Sequence, residues 1–169
     1  WAWDALVLIS PQPGIKNMRE RISRKDSDAM LANRILHEGT RNFIESWQQT
    51  DLIKSQDKIS SELRVVMQAA RYEHTSQGLA TSLREFGQGQ CPNLWPKIKD
   101  FTLPTLIITG SEDTLYTEIA KNMIKINTSI NKEVKSQLAI INNAGHAPHL
   151  ERPEITATTI LKFMEKIDR

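Results

Sequence analysis

The chain has 169 residues, 39% of them hydrophobic and 25% charged, enough for one domain with a real core and too apolar for a disordered segment. A net charge of +2, with no stripe of Lys and Arg, argues against a nucleic-acid partner. The single cysteine, Cys91, excludes a disulfide framework and a Cys-based zinc site, and no apolar run approaches the roughly 20 residues of a membrane span.

Taken in chain order, Ala5 to Ile9 is a continuous apolar run stopped by Ser10-Pro11-Gln12-Pro13-Gly14. Continuous rather than alternating apolarity suits a parallel strand covered on both faces. About ninety residues of helical pattern follow. Asp26 or Ser27 caps a helix with Met30, Leu31, Ile35 and Leu36 on one face, ending at Gly39. Thr40 caps the next, which buries Phe43, Ile44 and Trp47. Ser60 caps a third, with Leu63, Val66, Met67 and Ala70 at helical spacing. Ser76 opens a fourth, with Leu79, Leu83 and Phe86, and Gly87 follows its end. Gly87-Gln88-Gly89-Gln90-Cys91-Pro92 breaks the pattern. A second buried-type strand runs from Leu106 to Thr109, a crossover helix from about Thr117 to Ile126, and a third strand from Leu138 to Ile141. Pro153 opens a final helix whose apolar face is Ile155, Thr159, Ile160, Phe163, Met164 and Ile167. Strands alternating with helices predict an α/β fold with a parallel sheet. The expected division is a core strand and loop over 1–15, a helical cap over 16–100, and a C-terminal core part over 101–169.

Two positions carry chemistry. Asp113 follows Gly110 just past the second strand, and His146 lies in Ala144-Gly145-His146 just past the third. Catalysts in open parallel sheets gather outside the carboxyl ends of strands. A carboxylate there can hold an imidazole in the right tautomer and stabilise it once protonated. Taken singly, Asp113 reads as a helix cap and His146 as a surface residue. Taken together, each after a strand of the same type, they read as the Asp and His of a triad. His149 is a second, less well placed histidine.

Pro104 to Asp113, followed by Gly145-His146-Ala147-Pro148-His149-Leu150-Glu151-Arg152-Pro153, resembles the C-terminal signature of the α/β-hydrolase superfamily. Four cap segments, Ser10 to Ile15, Arg24 to Asp28, Phe43 to Trp47 and Gly87 to Trp95, resemble one subfamily within it. That subfamily is 2-succinyl-6-hydroxy-2,4-cyclohexadiene-1-carboxylate synthase of menaquinone and phylloquinone biosynthesis. The likeness runs from about Ala5 to the C-terminus, and Trp1 to Asp4 match nothing. The resemblance implies an α/β-hydrolase fold with a helical cap, and a carbon–oxygen lyase in which a Ser-His-Asp triad abstracts a proton and pyruvate leaves without hydrolysis. It implies Asp113 and His146 as catalytic residues, and Arg24, Trp47 and Arg71 as substrate-binding ones. A small substrate with several carboxylates suits the bidentate fork of arginine. Neither a metal nor an organic cofactor is called for, and the expected compartment is a bacterial cytoplasm or a plastid.

No Gly-x-Ser-x-Gly elbow occurs in the chain. The nucleophile serine and the oxyanion-hole donors are therefore expected upstream of Trp1. This polypeptide alone is expected to be inactive and to leave an apolar sheet edge for a missing N-terminal half to cover. Two other readings use the same chain: another α/β-hydrolase, such as an esterase or carbon–carbon bond hydrolase, and a truncated module that binds a small acid or a protein without catalysis.

Overall fold

The computed structural model describes residues 3–130 and 135–167; Trp1 and Ala2, half of the unmatched N-terminal tetrapeptide, lie outside them. The described residues form two compact units. One comprises the chain up to Gln12, Leu52–Ile59 and the chain from Pro96 onward; the other comprises Pro13–Asp51 and Ser60–Trp95. Residues 52–59, inside the stretch expected to form the cap, thus fold with the strands.

The first unit holds three parallel strands in the order β1-β2-β3: β1 (Leu6–Ile9), β2 (Thr105–Gly110) and β3 (Gln137–Ile141). Leu6 pairs with Thr105 and Ile9 with Ile108, while Leu106 pairs with Gln137 and Gly110 with Ile141. All six residues of β2 are buried, which is why its apolar run does not alternate. Leu106 and Ile108 point into a cluster with Ile141, Ala144 and Phe163, closed by Ile160, Met164 and Ile167 of the last helix. Ile107 borders the opposite face, alongside Met123 and Asn127. Asn127 is buried there but satisfied: its amide donates to the carbonyls of Ile98 and Phe101, and its oxygen accepts from Ser136.

The helix between β2 and β3 spans Thr114–Ile130, longer at both ends than its apolar pattern suggested. Pro148–Glu151 forms a one-turn helix that the sequence reading missed, and Pro153–Ile167 forms the last helix. Ile155 stays 53% exposed, so the inward stripe of that helix begins later than expected.

The second unit is helical. Its first helix, α1 (Met18–Trp47), starts well before the expected Asp26 or Ser27. Asn17 is the cap, its Oδ1 accepting from the backbone N–H of Arg19 and Glu20. Ser27 instead bonds the Ser23 carbonyl one turn back, and Asp28 is buried against Arg24. The backbone breaks at Gly39 (φ 82°, ψ 160°), where the sequence placed the end of one helix and the start of another. The Thr40 hydroxyl meets Ser76 at 3.1 Å rather than capping the second segment. After α2 (Asp51–Lys54) and a 3-10 turn over Ser55–Lys58 come α3 (Ser61–Glu73), capped by Ser60 as expected, and α4 (Ser76–Phe86), capped by Thr75.

Ile35, Phe43 and Ile44 make the core of this unit, with Leu31, Trp47, Tyr72, Leu79 and Leu83 packed on it. Met30, 72% exposed, and Leu36 turn outward, contrary to the expected face. Ala32, not Met30, lies inward beside Ile35, so the buried stripe is displaced around the helix. Leu63 and Val66 of α3 are exposed as well, and no residue of that helix is buried. Residues 87–95 fold back onto the start of the unit: Arg21 donates to the Gly89 carbonyl, Leu94 N–H to Pro13, and the Trp95 indole to Gly14. Two of the segments that carried the subfamily resemblance are thereby neighbours.

Candidate active site

Asp113 and His146 meet as the sequence proposed. His146 Nδ1 lies 2.7 Å from Asp113 Oδ2, with the Asp113 side chain 4% exposed and that of His146 26%. Parallel pairing of β2 with β3 brings their carboxyl ends, and the loops that follow them, to the same edge of the sheet. The same carboxylate also does the bland job assigned to it singly: Oδ1 accepts the Tyr116 N–H at 3.2 Å and caps the helix that begins at Thr114. Tyr116 then sets its ring edge-on to the His146 imidazole, centroids 4.3 Å apart. With Nδ1 bound to a carboxylate, the second ring nitrogen is the one left to exchange protons with a reactant.

The two loops are stitched together by their backbones. Glu112 N–H donates to the Ala144 carbonyl, Ser111 N–H to Ile141, and Asn143 N–H to the Ser111 hydroxyl. Ser111 is therefore a strut between the loops. Gly110 lies so close that a Cβ on it would sit 2.2 Å from the carbonyl oxygens of both Ala144 and Gly145. Ser10, read from the sequence as a loop residue only, is buried past the end of β1, and its hydroxyl donates to the His146 carbonyl at 2.8 Å. Ser10 (φ 45°) and Asn143 (φ 56°) are the two described non-glycine residues with positive φ; Ser10 lies just past β1 and Asn143 in the loop after β3. Left-handed backbone at ordinary residues is held only where surrounding contacts over-determine it.

His149 stands on the one-turn helix, three residues beyond His146, and the imidazole bonded to Asp113 is that of His146. Burial pushes its imidazole below the ordinary histidine value, opposed by Glu151 and reinforced by His146. The unfolded chain then binds the proton more readily than the folded one. Stability is full above the unfolded value near 6.5 and is lost as pH falls through the lower folded value. The melting temperature is expected to fall less between about pH 7 and 5 in His149→Gln than in the parent. Because the side chain is largely exposed, the difference is small; a parent curve as flat as the variant's removes His149 from the acid response.

Of the expected cap residues, Trp47 and Arg71 come together. The Arg71 guanidinium lies over the Trp47 ring, 5.2 Å from its centroid, and donates to Gln48 Oε1 at 2.9 Å. Phe43 stacks on Trp47 from within the helix. Trp47 is thus both core, packed on Phe43, and a platform for a cation. Arg24 is placed apart from that pair, its Nε on Asp28 Oδ1 at 2.8 Å and its Nη1 on Gln88 Oε1 at 2.9 Å. The sequence reading gave no role to Glu151, Ser10 or Tyr116. Among the described residues no three His, Cys, Asp or Glu side chains are grouped to hold a metal ion, and no helix is long and apolar enough to cross a membrane.

A parallel sheet with a carboxylate and an imidazole paired past neighbouring strands defines the class: the chain has the α/β-hydrolase fold. Within it, the chain is 32% identical over 164 residues to a protein of Bacillus subtilis named putative 2-succinyl-6-hydroxy-2,4-cyclohexadiene-1-carboxylate synthase. That match takes in 97% of the chain and 58% of the relative. A solved structure described as MenH from S. aureus superposes with a TM-score of 0.89 at 30% identity, covering 98% of the chain and 60% of its own. A thermophilic esterase from Thermogutta terrifontis, 19% identical with a TM-score of 0.68 over 97% of the chain and 56% of its own, shares the fold alone. No protein-family model matches. The chain spans about three fifths of the length of the Bacillus subtilis and S. aureus proteins.

Proposed function

We propose that this chain is the cap and C-terminal part of a 2-succinyl-6-hydroxy-2,4-cyclohexadiene-1-carboxylate synthase, a lyase that eliminates pyruvate in menaquinone or phylloquinone biosynthesis. The observation that carries the reading is the 2.7 Å Asp113–His146 pair, set in a chain homologous along nearly its whole length to proteins so named. In this reading the triad's serine lies on sequence outside the chain. His146, held by Asp113, removes a proton from the substrate through that serine. The carbon–oxygen bond to the pyruvyl group breaks, and the departing enol takes up a proton to become pyruvate. Arg24 and Arg71 bind substrate carboxylates, and Trp47 backs Arg71. The partner that completes the sheet beyond β1 is the N-terminal half of the same fold, and the compartment is a bacterial cytoplasm or a plastid.

The test is pyruvate release by the intact protein from the enolpyruvyl precursor of the cyclohexadiene product, run beside hydrolysis of a neutral aryl ester. Release that depends on His146 supports the synthase; ester hydrolysis without release replaces it with an esterase. Arg24 tests the cap. Because removing it alone strands a buried carboxylate, Arg24→Gln is combined with Asp28→Asn. The pair is expected to raise KM about tenfold or more with kcat within about threefold, as loss of a charged hydrogen bond predicts. An unchanged KM removes Arg24 from substrate binding.

A further inference from the structure

We infer that Glu151, anchored by Ser55, is a positioning residue for His146. The inference rests on the proposed function only in taking His146 as the base.

Glu151 is 3% exposed, and its carboxylate is held by three neutral donors. Oε2 accepts the Gly145 N–H at 2.7 Å; Oε1 accepts the Ala147 N–H at 3.2 Å and the Ser55 hydroxyl at 3.0 Å. The two backbone donors belong to the residues on either side of His146. One carboxylate therefore grips the backbone immediately before and after the imidazole-bearing residue. Ser10 closes the remaining side by donating to the His146 carbonyl. A side chain whose backbone is fixed at both flanks has only its own torsions left to move, and Asp113 takes up those through Nδ1.

Burying a carboxylate is costly even with hydrogen bonds, and a loop could satisfy two N–H groups with water at less cost. A fixed carboxylate differs in being rigid, because its own position is set by the one-turn helix that carries it and by Ser55. Ser55 comes from the 52–59 segment, 96 residues away in sequence, which folds with the strands. That segment is anchored independently by the buried side chains of Ile53 and Ile59 and by an ion pair from Lys58 to Glu112, the residue before Asp113. It thus touches the loop of each dyad member. The fit is close: a Cβ on Gly145 would lie 2.2 Å from Ser55 Oγ, so neither can shift without the other.

The experiment uses the intact protein with 15N-labelled histidine and reads the low-field proton line of the His146 Nδ1–H, assigned by its absence in His146→Gln. Glutamine at 151 keeps the size but turns one acceptor into a donor, so one of the two flanking N–H groups loses its partner. In Glu151→Gln the line is expected to broaden or vanish at a temperature well below the variant's melting temperature, where the protein is folded. Ser55→Ala is expected to weaken the line partially, and Glu151→Asp to restore part of it over Gln. Where Glu151→Gln does not fold, Ser55→Ala carries the test. A folded variant with the parent's line overturns the inference. That readout requires no turnover, so a failed pyruvate assay and a failed positioning role are separate results.

Discussion

Asp113→Asn in the intact protein is expected to lower kcat for pyruvate release about ten-thousandfold, with the fold retained, the scale seen when a serine-protease triad loses the same carboxylate. The two oxygens of Asp113 have different duties. Oδ1 caps the helix through Tyr116 N–H, and Oδ2 receives His146 Nδ1 at 2.7 Å. Asparagine has one oxygen for both. If that oxygen keeps the cap, the amide NH2 faces Nδ1 and bonds only to its lone pair. The proton then sits on Nε2, and the ring can no longer accept one there. The helix cap survives, so the melting temperature is expected to stay within a few degrees while turnover collapses. Measuring both on the same preparation checks it. A loss of tenfold or less removes the carboxylate from the catalytic step.

Gly110→Ala is expected to destabilise the protein by about 3 kcal/mol, as overpacking against unyielding neighbours does. The atoms a Cβ would meet at 2.2 Å are the carbonyl oxygens of Ala144 and Gly145, not the ends of flexible side chains. Ala144 is fully buried and accepts the Glu112 N–H, so the loop gives way only by breaking that bond and carrying Gly145, and with it His146, outward. A fall in melting temperature of about 6–12 °C follows for a protein of this size. Activity measured well below that temperature is expected to be impaired too, since the dyad distance depends on the same approach. A melting temperature within about 2 °C of the parent shows that the loop yields freely.

The β2–β3 half of the site was legible because its signals are local. A buried strand shows as an unbroken apolar run, a turn as a glycine, and a candidate site residue as a polar side chain just beyond, as at Gly110 to Asp113 and Gly145-His146. Helix ends marked by glycine or by a capping hydroxyl, such as Gly39 and Ser60, were equally readable. The start of α1 was not, although Asn17 is an ordinary cap. The charged run from Arg19 to Lys25 carries too few apolar residues to declare a helix by periodicity. The faces of Met30, Leu36, Leu63 and Val66 misled for a related reason. Spacing reports that apolar residues share a side, not that anything covers it.

The sequence by itself determined the parallel α/β architecture, the positions of Asp113 and His146, and the likeness to one synthase subfamily, since each is written within a few neighbouring residues. Only the tertiary structure decided that Asp113 serves cap and imidazole at once, that Arg71 lies on Trp47, and that Arg24 is bound to Asp28. The grip on His146 belongs with these: Ser10, Ser55 and Glu151 lie 136, 91 and 5 residues from it, by subtraction of their numbers. Contacts at such separations follow from how buried surfaces pack, and no local pattern encodes them.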